Sequence, residues 1–256
     1  MRGVILDSDS FDRGDLDTAA LDYALDHWTR HRSTMSDEVP KRLEGYEVVV
    51  TNKVVIDATA MESSALRLIV VAATGTNNID LTAAARRGIT VCNVRDYASA
   101  AVSQHVFSLV LALVTHLGDY TRAVGQGRWQ QSKVFCMLDY PIRELAGLTL
   151  GIIGYGNLGR RVAQIAQGFQ MQVLICARPG SEAVPDGRVP LNTLLRTADV
   201  ISLHCPLSDA TRNLIGKAQL QKMKSDAILI NTARGGIVNE DDLAAALRQG
   251  NIGGAG

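Results

Sequence analysis

The sequence predicts an α/β protein with two doubly wound parallel-sheet domains. Short aliphatic and β-branched runs alternate with helical patterns along the whole chain, which is typical of parallel sheets covered by helices. A glycine-rich turn in the second half stands between an apolar run and a helical pattern, as it does in sheets that bind nucleotides. With 256 residues and 46% hydrophobic content, the chain has enough apolar material for two modest domains or one large one.

The composition argues against nucleic acid and membrane partners. Lys+Arg and Asp+Glu both number 26, so the protein has no net positive field to hold a phosphate backbone or an anionic membrane. The longest apolar stretch, at residues 106–114, is too short for a membrane span, and the chain opens without a signal-peptide pattern. We therefore expect a cytoplasmic protein. The four cysteines form no C-x-x-C pair and no histidines cluster at metal spacing, which predicts reduced, mostly buried thiols and no metal site.

Residues 1–97 are expected to form one doubly wound unit. The strand candidates are residues 4–6, 47–50, 68–72 and 89–93, and a helix candidate at 81–87 ends at Gly88. A helical and almost wholly apolar stretch follows at 98–117, and such a helix must be buried on several sides. We place the domain boundary just before it. The sequence leaves open whether this helix bridges two domains or forms a subunit interface.

Residues 98–256 are expected to contain a second parallel sheet. The strand candidates are residues 148–153, 172–176, 200–203 and 227–231, and the helix candidates after the glycine turn are 158–169 and 241–249. A helix that ends at Gly250 should be followed by another strand, beginning near Ile252. The chain stops there, so it is expected to be either naturally short or a fragment.

The glycine-rich turn has the spacing of a dinucleotide-binding site. Gly154, Gly156 and Gly159 form G-x-G-x-x-G directly after an apolar strand and directly before a helix. In that context Gly154 permits a tight turn, Gly156 permits the close approach of a pyrophosphate, and Gly159 permits close packing of helix on strand. The prediction is a Rossmann dinucleotide-binding domain. The alternative is a glycine-rich turn that binds no ligand.

The residues after the second strand of this domain favour NADP over NAD. An NAD site usually has Asp or Glu about twenty residues after the glycines, where it binds the adenosine ribose. Residues 176–180 read Cys-Ala-Arg-Pro-Gly and contain no acid. Arg178 is suited to a 2′-phosphate, because a guanidinium binds phosphate through two N–H groups. The alternative is that Arg178 only ends a surface strand.

Four motifs resemble those of the D-isomer-specific 2-hydroxyacid dehydrogenases. They are residues 74–80 (TGTNNID), the glycine turn, residues 203–207 (LHCPL) and residues 230–236 (INTARGG). Residues 91–94, 104–107 and 135–141 are most similar to the glycerate dehydrogenase and hydroxypyruvate reductase branch.

The resemblance implies hydride transfer between NAD(P) and a small 2-hydroxy or 2-oxo acid, from hydroxypyruvate or glyoxylate to D-glycerate or glycolate. It also implies a flavodoxin-like substrate domain at 1–97 that is incomplete without a returning C-terminal segment. The same resemblance implies an active site between this domain and a Rossmann domain at 98–256, and a homodimer that uses the helix at 98–117.

Individual residues receive roles from their position and from the resemblance. Arg234 follows strand 227–231, and by resemblance it is the catalytic arginine that binds the 2-oxo acid. Asn52, Lys53 and the backbone N–H groups of Gly75 and Thr76 are candidate substrate contacts, with ordinary loop positions as the alternative. Further residues match family positions around the cofactor: Asn157, Leu158, Cys205, Pro206, Thr211, Thr232 and Ala233. For His204 we expect a structural role rather than that of a base.

The acid/base histidine of the family, and the glutamate that orients it, come after the strand that begins here near Ile252. Neither has a counterpart in this chain, so activity is expected of a full-length form. The alternative function is a catalytically incomplete dinucleotide-sensing binding protein of the same fold. A third hypothesis is a relative of the homocysteine hydrolases, which residues 231–236 fit less well.

Overall fold

The computed structural model describes residues 1–62, 64–181 and 183–256. The chain divides into two compact units, Met1–Tyr97 and Ala98–Gly256, and each is built on its own five-stranded parallel sheet. Helices connect the successive strands, as parallel pairing requires. The prediction of two parallel-sheet α/β domains is confirmed.

The first unit has the strand order of a flavodoxin-like fold. Its strands are β1 Arg2–Ile5, β2 His27–Arg30, β3 Val48–Thr51, β4 Leu68–Val71 and β5 Thr90–Asn93. Its helices are α1 Ala19–Ala24, α2 Val39–Leu43, α3 Ala58–Glu62 and α4 Leu81–Arg86. The sheet order is β2-β1-β3-β4-β5, and the direction of winding reverses between β1 and β3. Strand β3 is buried along its whole length because it occupies the centre of the sheet.

Strand β2 is the element of this sheet that the sequence analysis missed. His27–Arg30 pairs only with β1, so it lies at the edge of the sheet. Both of its terminal residues are exposed and its inner two are half-buried. An edge strand of this kind needs no continuous apolar run, and the period that identifies buried strands is therefore absent.

The second unit is a Rossmann-type sheet with helices on both faces. Its strands are β6 Thr149–Ile153, β7 Gln172–Ile175, β8 Val200–Leu203, β9 Ile228–Asn231 and β10 Gly254–Ala255. Its helices are α5 Ser99–Val114, α6 Leu117–Gly125, α7 Arg128–Gln131, α8 Asn157–Gly168, α9 Leu191–Thr197, α10 Lys217–Leu220 and α11 Glu240–Arg248. The order is β10-β9-β8-β6-β7, and every residue of β6 and β8 is buried. Ile152 and Ile230 pack with α5 and α8 on one face, whereas Leu203 and Leu229 pack with α9 and α11 on the other.

The single helix predicted over 98–117 is wrong at its C-terminal end. Helix α5 ends at Val114, and α6 begins at Leu117 with a bend of 62°. His116 lies between them in the left-handed conformation with φ of 50°, which a right-handed helix cannot continue. Within the single chain, the fully buried side chains of α5 lie along one face, and much of the remainder is half-buried or exposed.

Two of the four thiols are buried and two are exposed. Cys176 and Cys205 are buried, but Cys92 and Cys136 are exposed, so the expectation of mostly buried thiols is wrong for half of them. Among the described residues, no group of three or more His, Cys, Asp or Glu side chains is placed to hold a metal ion. Over the same residues no single helix meets the length and hydropathy criteria for a membrane crossing, and only the bent pair α5 and α6 meets them jointly.

Candidate functional site

The candidate site of the second unit lies where strands β6, β8 and β9 end. Ile153 of β6 pairs with Leu203 of β8, and Leu203 pairs with Asn231 of β9, all in parallel. The glycine-rich turn follows the first of these strands, and Arg234 lies three residues after the last. The loops therefore leave the sheet at the same carboxyl edge, where open α/β sheets bind ligands.

The three glycines of the turn differ in what surrounds them. At Gly154, φ is 99° and an added Cβ would lie 2.4 Å from the backbone nitrogen of Cys205. A Cβ on Gly159 would lie 2.2 Å from the carbonyl oxygen of Gly154, so helix α8 packs directly on the turn. At Gly156 no atom of the described residues lies within 4 Å of the added Cβ. Two glycines thus hold the turn together, and the third leaves its backbone open to a ligand.

Helix α8 presents its N-terminal turn beside this open backbone. It begins at Asn157, and its N-cap residue Gly156 has no side chain that could accept hydrogen bonds from the first-turn amides. The first amides of a helix have no acceptor within the helix and carry the positive end of its dipole. Leu158 is half-buried against the core formed by α5 and α8, which fixes the start of the helix. This arrangement suits the pyrophosphate of a dinucleotide.

Two arginines lie near the end of β7. Arg178 comes two residues after Cys176 and is exposed. Arg188, which the sequence analysis did not single out, donates from Nη1 to the carbonyl oxygen of Cys176 at 3.1 Å. Its guanidinium carbon lies 5.8 Å from the ring centroid of Tyr155, in the glycine turn. Neither arginine forms an ion pair with an acidic side chain of the described residues. No motif in the sequence marks Arg188, because a loop separates it from the strand.

The segment after β8 is a closed turn. The hydroxyl of Thr211 donates to the carbonyl oxygen of Pro206 at 2.7 Å and accepts from the backbone N–H of Ser208 at 2.8 Å. Thr211 is buried, so its observed role is to support Pro206 from within the protein. Burial raises the pKa of the Cys205 thiol and raises that of Cys176 to about 11. Both thiols are therefore neutral at physiological pH.

His204 is a half-buried, neutral histidine behind this turn. Its Nε2 atom lies 2.8 Å from the hydroxyl of Ser202, whereas its Nδ1 atom is buried and has no hydrogen-bond partner among the described residues. Burial lowers the pKa of His204 to about 4. A neutral imidazole keeps one N–H for hydrogen bonding, but it lacks the second proton that a general acid would deliver in neutral solution. The arrangement therefore fits packing and hydrogen bonding rather than acid catalysis.

We expect His204 to destabilise the fold in mild acid. Its pKa of about 4 in the folded chain lies below the ordinary 6.5, so at intermediate pH the unfolded chain binds a proton that the folded chain excludes. This contribution is constant above pH 6.5, and stability falls as the pH drops toward 4, by at most ~1.4 kcal/mol per pH unit. Urea unfolding of the wild type and His204→Gln between pH 7 and 4.5 measures it. Parallel pH profiles for the two proteins would contradict the expectation.

Asn231, the last residue of β9, organises the turn that carries Arg234. Its side-chain amide donates to the carbonyl oxygen of Arg234 at 2.9 Å, and its side-chain oxygen accepts from the N–H of Ala233 at 3.1 Å. The exposed Arg234 donates from Nη1 to the carbonyl oxygen of Ala233 at 2.7 Å. The hydroxyl of Thr232 is buried without a partner among the described residues. Such a group is costly to leave unpaired, so it marks a place where a ligand can supply a hydrogen bond.

In the first unit, the predicted substrate residues after β3 are held by Asp7. The buried Asp7 carboxylate accepts from the backbone N–H of Asn52 at 2.9 Å and from that of Lys53 at 2.7 Å. The amide of Asn52 donates to the carbonyl oxygen of Ser10 at 3.0 Å, and Lys53 is exposed. Asp7 was not among the residues predicted from the sequence, although an acid directly after an apolar strand is a usable signal.

Gly75 and Thr76 lie in the turn after β4, at the same edge as Asn52 and Lys53. Strands β3 and β4 are parallel neighbours, so their loops leave this sheet together. The carbonyl oxygen of Thr76 accepts from the N–H of Ile79 at 3.0 Å, which closes the turn. The structure thus brings the four predicted substrate residues to one edge of the first sheet.

A glycine turn with open backbone and a cation at one carboxyl edge define a nucleotide-binding α/β protein of the Rossmann class. Residues 107–256 match the sequence model described as D-isomer specific 2-hydroxyacid dehydrogenase, NAD binding domain. The chain belongs to the D-isomer-specific 2-hydroxyacid dehydrogenase family, and its second unit is a domain that binds a nicotinamide dinucleotide. The family predicted from the four sequence motifs is confirmed.

Individual relatives agree with this assignment. The chain is 47% identical over 249 residues to a glycerate dehydrogenase of Methylorubrum extorquens, covering 96% of this chain and 78% of the relative. It is 36% identical over 262 residues to a hydroxypyruvate reductase of Blautia hydrogenotrophica, covering 100% of this chain and 81% of the relative. The solved structure of an acyclic imino acid reductase in complex with NADPH and D-Arg matches with a TM-score of 0.87 and 27% identity. That match covers 100% of this chain and 81% of the solved one.

Proposed function

We propose that the full-length protein reduces hydroxypyruvate or glyoxylate to D-glycerate or glycolate with a nicotinamide cofactor. The observation that carries the proposal is the shared edge of the second sheet. There the loop with the open backbone of Gly156 follows β6, and the loop with the cation of Arg234 follows β9. These two parallel strands are separated in the sheet by β8. The names glycerate dehydrogenase and hydroxypyruvate reductase, carried by two relatives, support this substrate class.

The residues present fit a dinucleotide, since Gly156 is open and the buried hydroxyl of Thr232 is unpaired among the described residues. When bound, the cofactor would supply a hydride from C4 of the nicotinamide to C2 of the oxo acid, and the 2-oxo oxygen would take one proton from the acid/base histidine that the family resemblance implies for the full-length form. Arg234 holds the carboxylate and the 2-oxo oxygen, on which negative charge grows during the transfer. Its planar guanidinium offers a fork of N–H donors for two oxygens at once. Asn231 fixes the backbone of Arg234 and so sets where that fork begins.

The loops of the first unit are the proposed further contacts of the acid. The ammonium of Lys53 is exposed at the edge of its sheet, and the amides of Gly75 and Thr76 stand in the neighbouring turn. A lysine and a group of backbone N–H donors bind small anions in the same way in other loops. Asp7 fixes the backbone at Lys53, which limits the positions that its side chain reaches.

NADP is the proposed cofactor, because Arg178 stands where an NAD site has an acid. We expect Arg178→Asp to lower kcat/KM for NADPH by roughly 100-fold relative to that for NADH. Loss of charged hydrogen bonds and added repulsion of the phosphate both contribute. Steady-state kinetics with hydroxypyruvate and each cofactor measure the ratio. Arg161→Asp, an exposed arginine on α8, is the matched control, and an unchanged ratio in Arg178→Asp would refute the NADP assignment.

The proposed reaction is tested with the full-length protein, hydroxypyruvate, glyoxylate and each reduced cofactor. The expected result is loss of the reduced-nicotinamide absorbance that depends on the 2-oxo acid, together with oxidation of D-glycerate in the reverse assay. Tight binding of the dinucleotide without turnover of either acid would overturn the dehydrogenase proposal and favour a sensor of the same fold.

A homodimer is the proposed assembly. Several large apolar side chains are exposed in the segment after α6, and such an apolar patch is typical of a subunit contact. They are Trp129, Val134, Phe135, Leu138 and Ile142. Phe135 and Leu138 are 95% and 87% exposed, which is unfavourable for a side chain that stays in water. Light scattering of the purified protein measures the mass of the assembly.

A further inference from the structure

We propose that Arg188 is a second guanidinium for the 2′-phosphate of NADP and that it acts together with Arg178. This inference rests on the proposed function and deepens it, because it names a residue that sets the choice between the two dinucleotides. Arg188 lies outside all the family motifs identified in the sequence, and its place at the site is visible only in the fold.

The backbone carries Arg188 to the end of β7. Val189 forms a parallel bridge with Cys176, in which the N–H of Ala177 donates to the carbonyl oxygen of Val189 at 2.8 Å. The N–H of Val189 donates to the carbonyl oxygen of Ile175 at 2.9 Å. The chain therefore returns alongside β7 as a short strand-like segment, and Arg188 is placed immediately before it.

The side chain is then held over the carboxyl edge between β7 and β6. Its Nη1 atom donates to the carbonyl oxygen of Cys176, and its guanidinium lies against the ring of Tyr155. Arg160, in the first turn of α8, has its guanidinium carbon 5.7 Å from the same ring centroid. Two guanidinium groups thus share one aromatic ring between Gly154 and Gly156, where each gains a cation–π contact.

The remaining hydrogen-bonding capacity of Arg188 suits an anion. A guanidinium has five N–H donors, and the observed bond to Cys176 uses one nitrogen. Arg188 is half-buried, and it makes no ion pair with any acid among the described residues. A carboxylate would normally neutralise an arginine held in this way, so the charge is available to a bound group.

The position of that charge identifies the group. In a Rossmann sheet the pyrophosphate lies on the glycine turn and the adenosine ribose lies at the end of the second strand, which here is β7. Arg178 follows that strand and Arg188 contacts the carbonyl group of Cys176, the residue directly after it, so both are placed at the ribose. A free 2′-hydroxyl is bound there by a hydrogen-bond acceptor such as a carboxylate, whereas a phosphate dianion is bound by cationic side chains. Arg188 and Arg178 together match the phosphate.

The test measures binding of adenosine 2′,5′-bisphosphate and of AMP to the full-length protein by calorimetry. We expect Arg188→Gln to raise the Kd for the bisphosphate by about tenfold to 100-fold and to change the Kd for AMP by less than about threefold. Glutamine can still donate to the Cys176 carbonyl oxygen, so a purely structural role of Arg188 predicts no such split. Arg196→Gln, exposed at the end of α9 and therefore near the amino edge of the sheet, is the matched control.

Each outcome separates the inference from the proposed function. If the wild type binds AMP and the bisphosphate equally, or if Arg188→Gln weakens both ligands to the same extent, the inference is wrong while dinucleotide binding stands. If the wild type binds neither these ligands nor NADPH and NADH, the proposed function fails first. If Arg188→Gln does not fold, Arg188→Lys keeps the charge but removes the fork, and it should weaken bisphosphate binding alone by about threefold to tenfold. Unchanged bisphosphate binding in that variant would also overturn the inference.

Discussion

Arg234→Gln is expected to lower kcat/KM of the full-length protein for hydroxypyruvate by about 1,000-fold. The reason is electrostatic, since the arginine would face both the substrate carboxylate and the oxygen that gains charge as the hydride arrives. Loss of one preorganised donor to a developing oxyanion costs roughly 100-fold to 1,000-fold in kcat, and loss of the carboxylate contact adds to KM. Steady-state kinetics at saturating cofactor separate the two contributions.

The fold should tolerate this change, because Arg234 is exposed and Asn231 bonds only to backbone atoms in its turn. Arg248→Gln, an exposed arginine at the end of α11, removes the same charge elsewhere in the second unit and serves as the control. Arg234→Lys should recover part of the loss, since charge returns without the planar fork. Activity within tenfold of the wild type in Arg234→Gln would remove this residue from the proposed mechanism.

The second large effect is a contrast between two glycines of the same turn. Gly154→Ala is expected to destabilise the protein by roughly 3 kcal/mol or more, because the new Cβ overlaps the backbone at Cys205 and φ is 99°. Gly156→Ala should leave unfolding within about 1 kcal/mol of the wild type, because its φ of −81° suits alanine and its Cβ enters open space. In the proposed binding mode the pyrophosphate approaches through that open space, so Gly156→Ala should weaken NADPH binding by about tenfold to 100-fold.

Thermal unfolding and a fluorescence titration with NADPH measure the two effects separately. Gly168→Ala is the matched control, because it lies in the last turn of α8 and its Cβ would also meet no atom of the described residues within 4 Å. Its unfolding and its NADPH affinity should stay close to those of the wild type. Undiminished binding in Gly156→Ala would show that the pyrophosphate does not rest on this turn.

The glycine turn was predictable from sequence because its geometry depends on residue type. Only glycine accepts the conformation of Gly154 and the close approach at Gly159. The spacing of the glycines between a strand and a helix is therefore enough to predict the turn. The alternation of strands and helices was predictable for a similar reason, since strands such as β6 are buried at every position and are rich in aliphatic residues. The family motifs then placed Arg234 after β9.

The features that were not predicted from the sequence depend on contacts between residues that are distant along the chain, or on the conformation of a single residue. Strand β2 is polar and pairs on one side only, and the end of α5 depends on the conformation of His116. Arg188 reaches the site through the pairing of Val189 with Cys176 after an irregular loop. A hydrophobic period or a motif carries information about residues that are close together along the chain. The features named above depend on residues that are far apart along the chain or on one backbone conformation.

The contact between Gly154 and the exit of β8 has a consequence for protein engineering. The N–H of His204 donates to the carbonyl oxygen of Ile153 at 2.7 Å, and the backbone at Cys205 fills the space beside Gly154. The glycine-rich turn is therefore shaped by two chain segments that lie about fifty residues apart. Grafting the six residues of the turn onto a foreign parallel sheet would not transfer its shape. The transplant has to include the adjoining strand and the first residues beyond it.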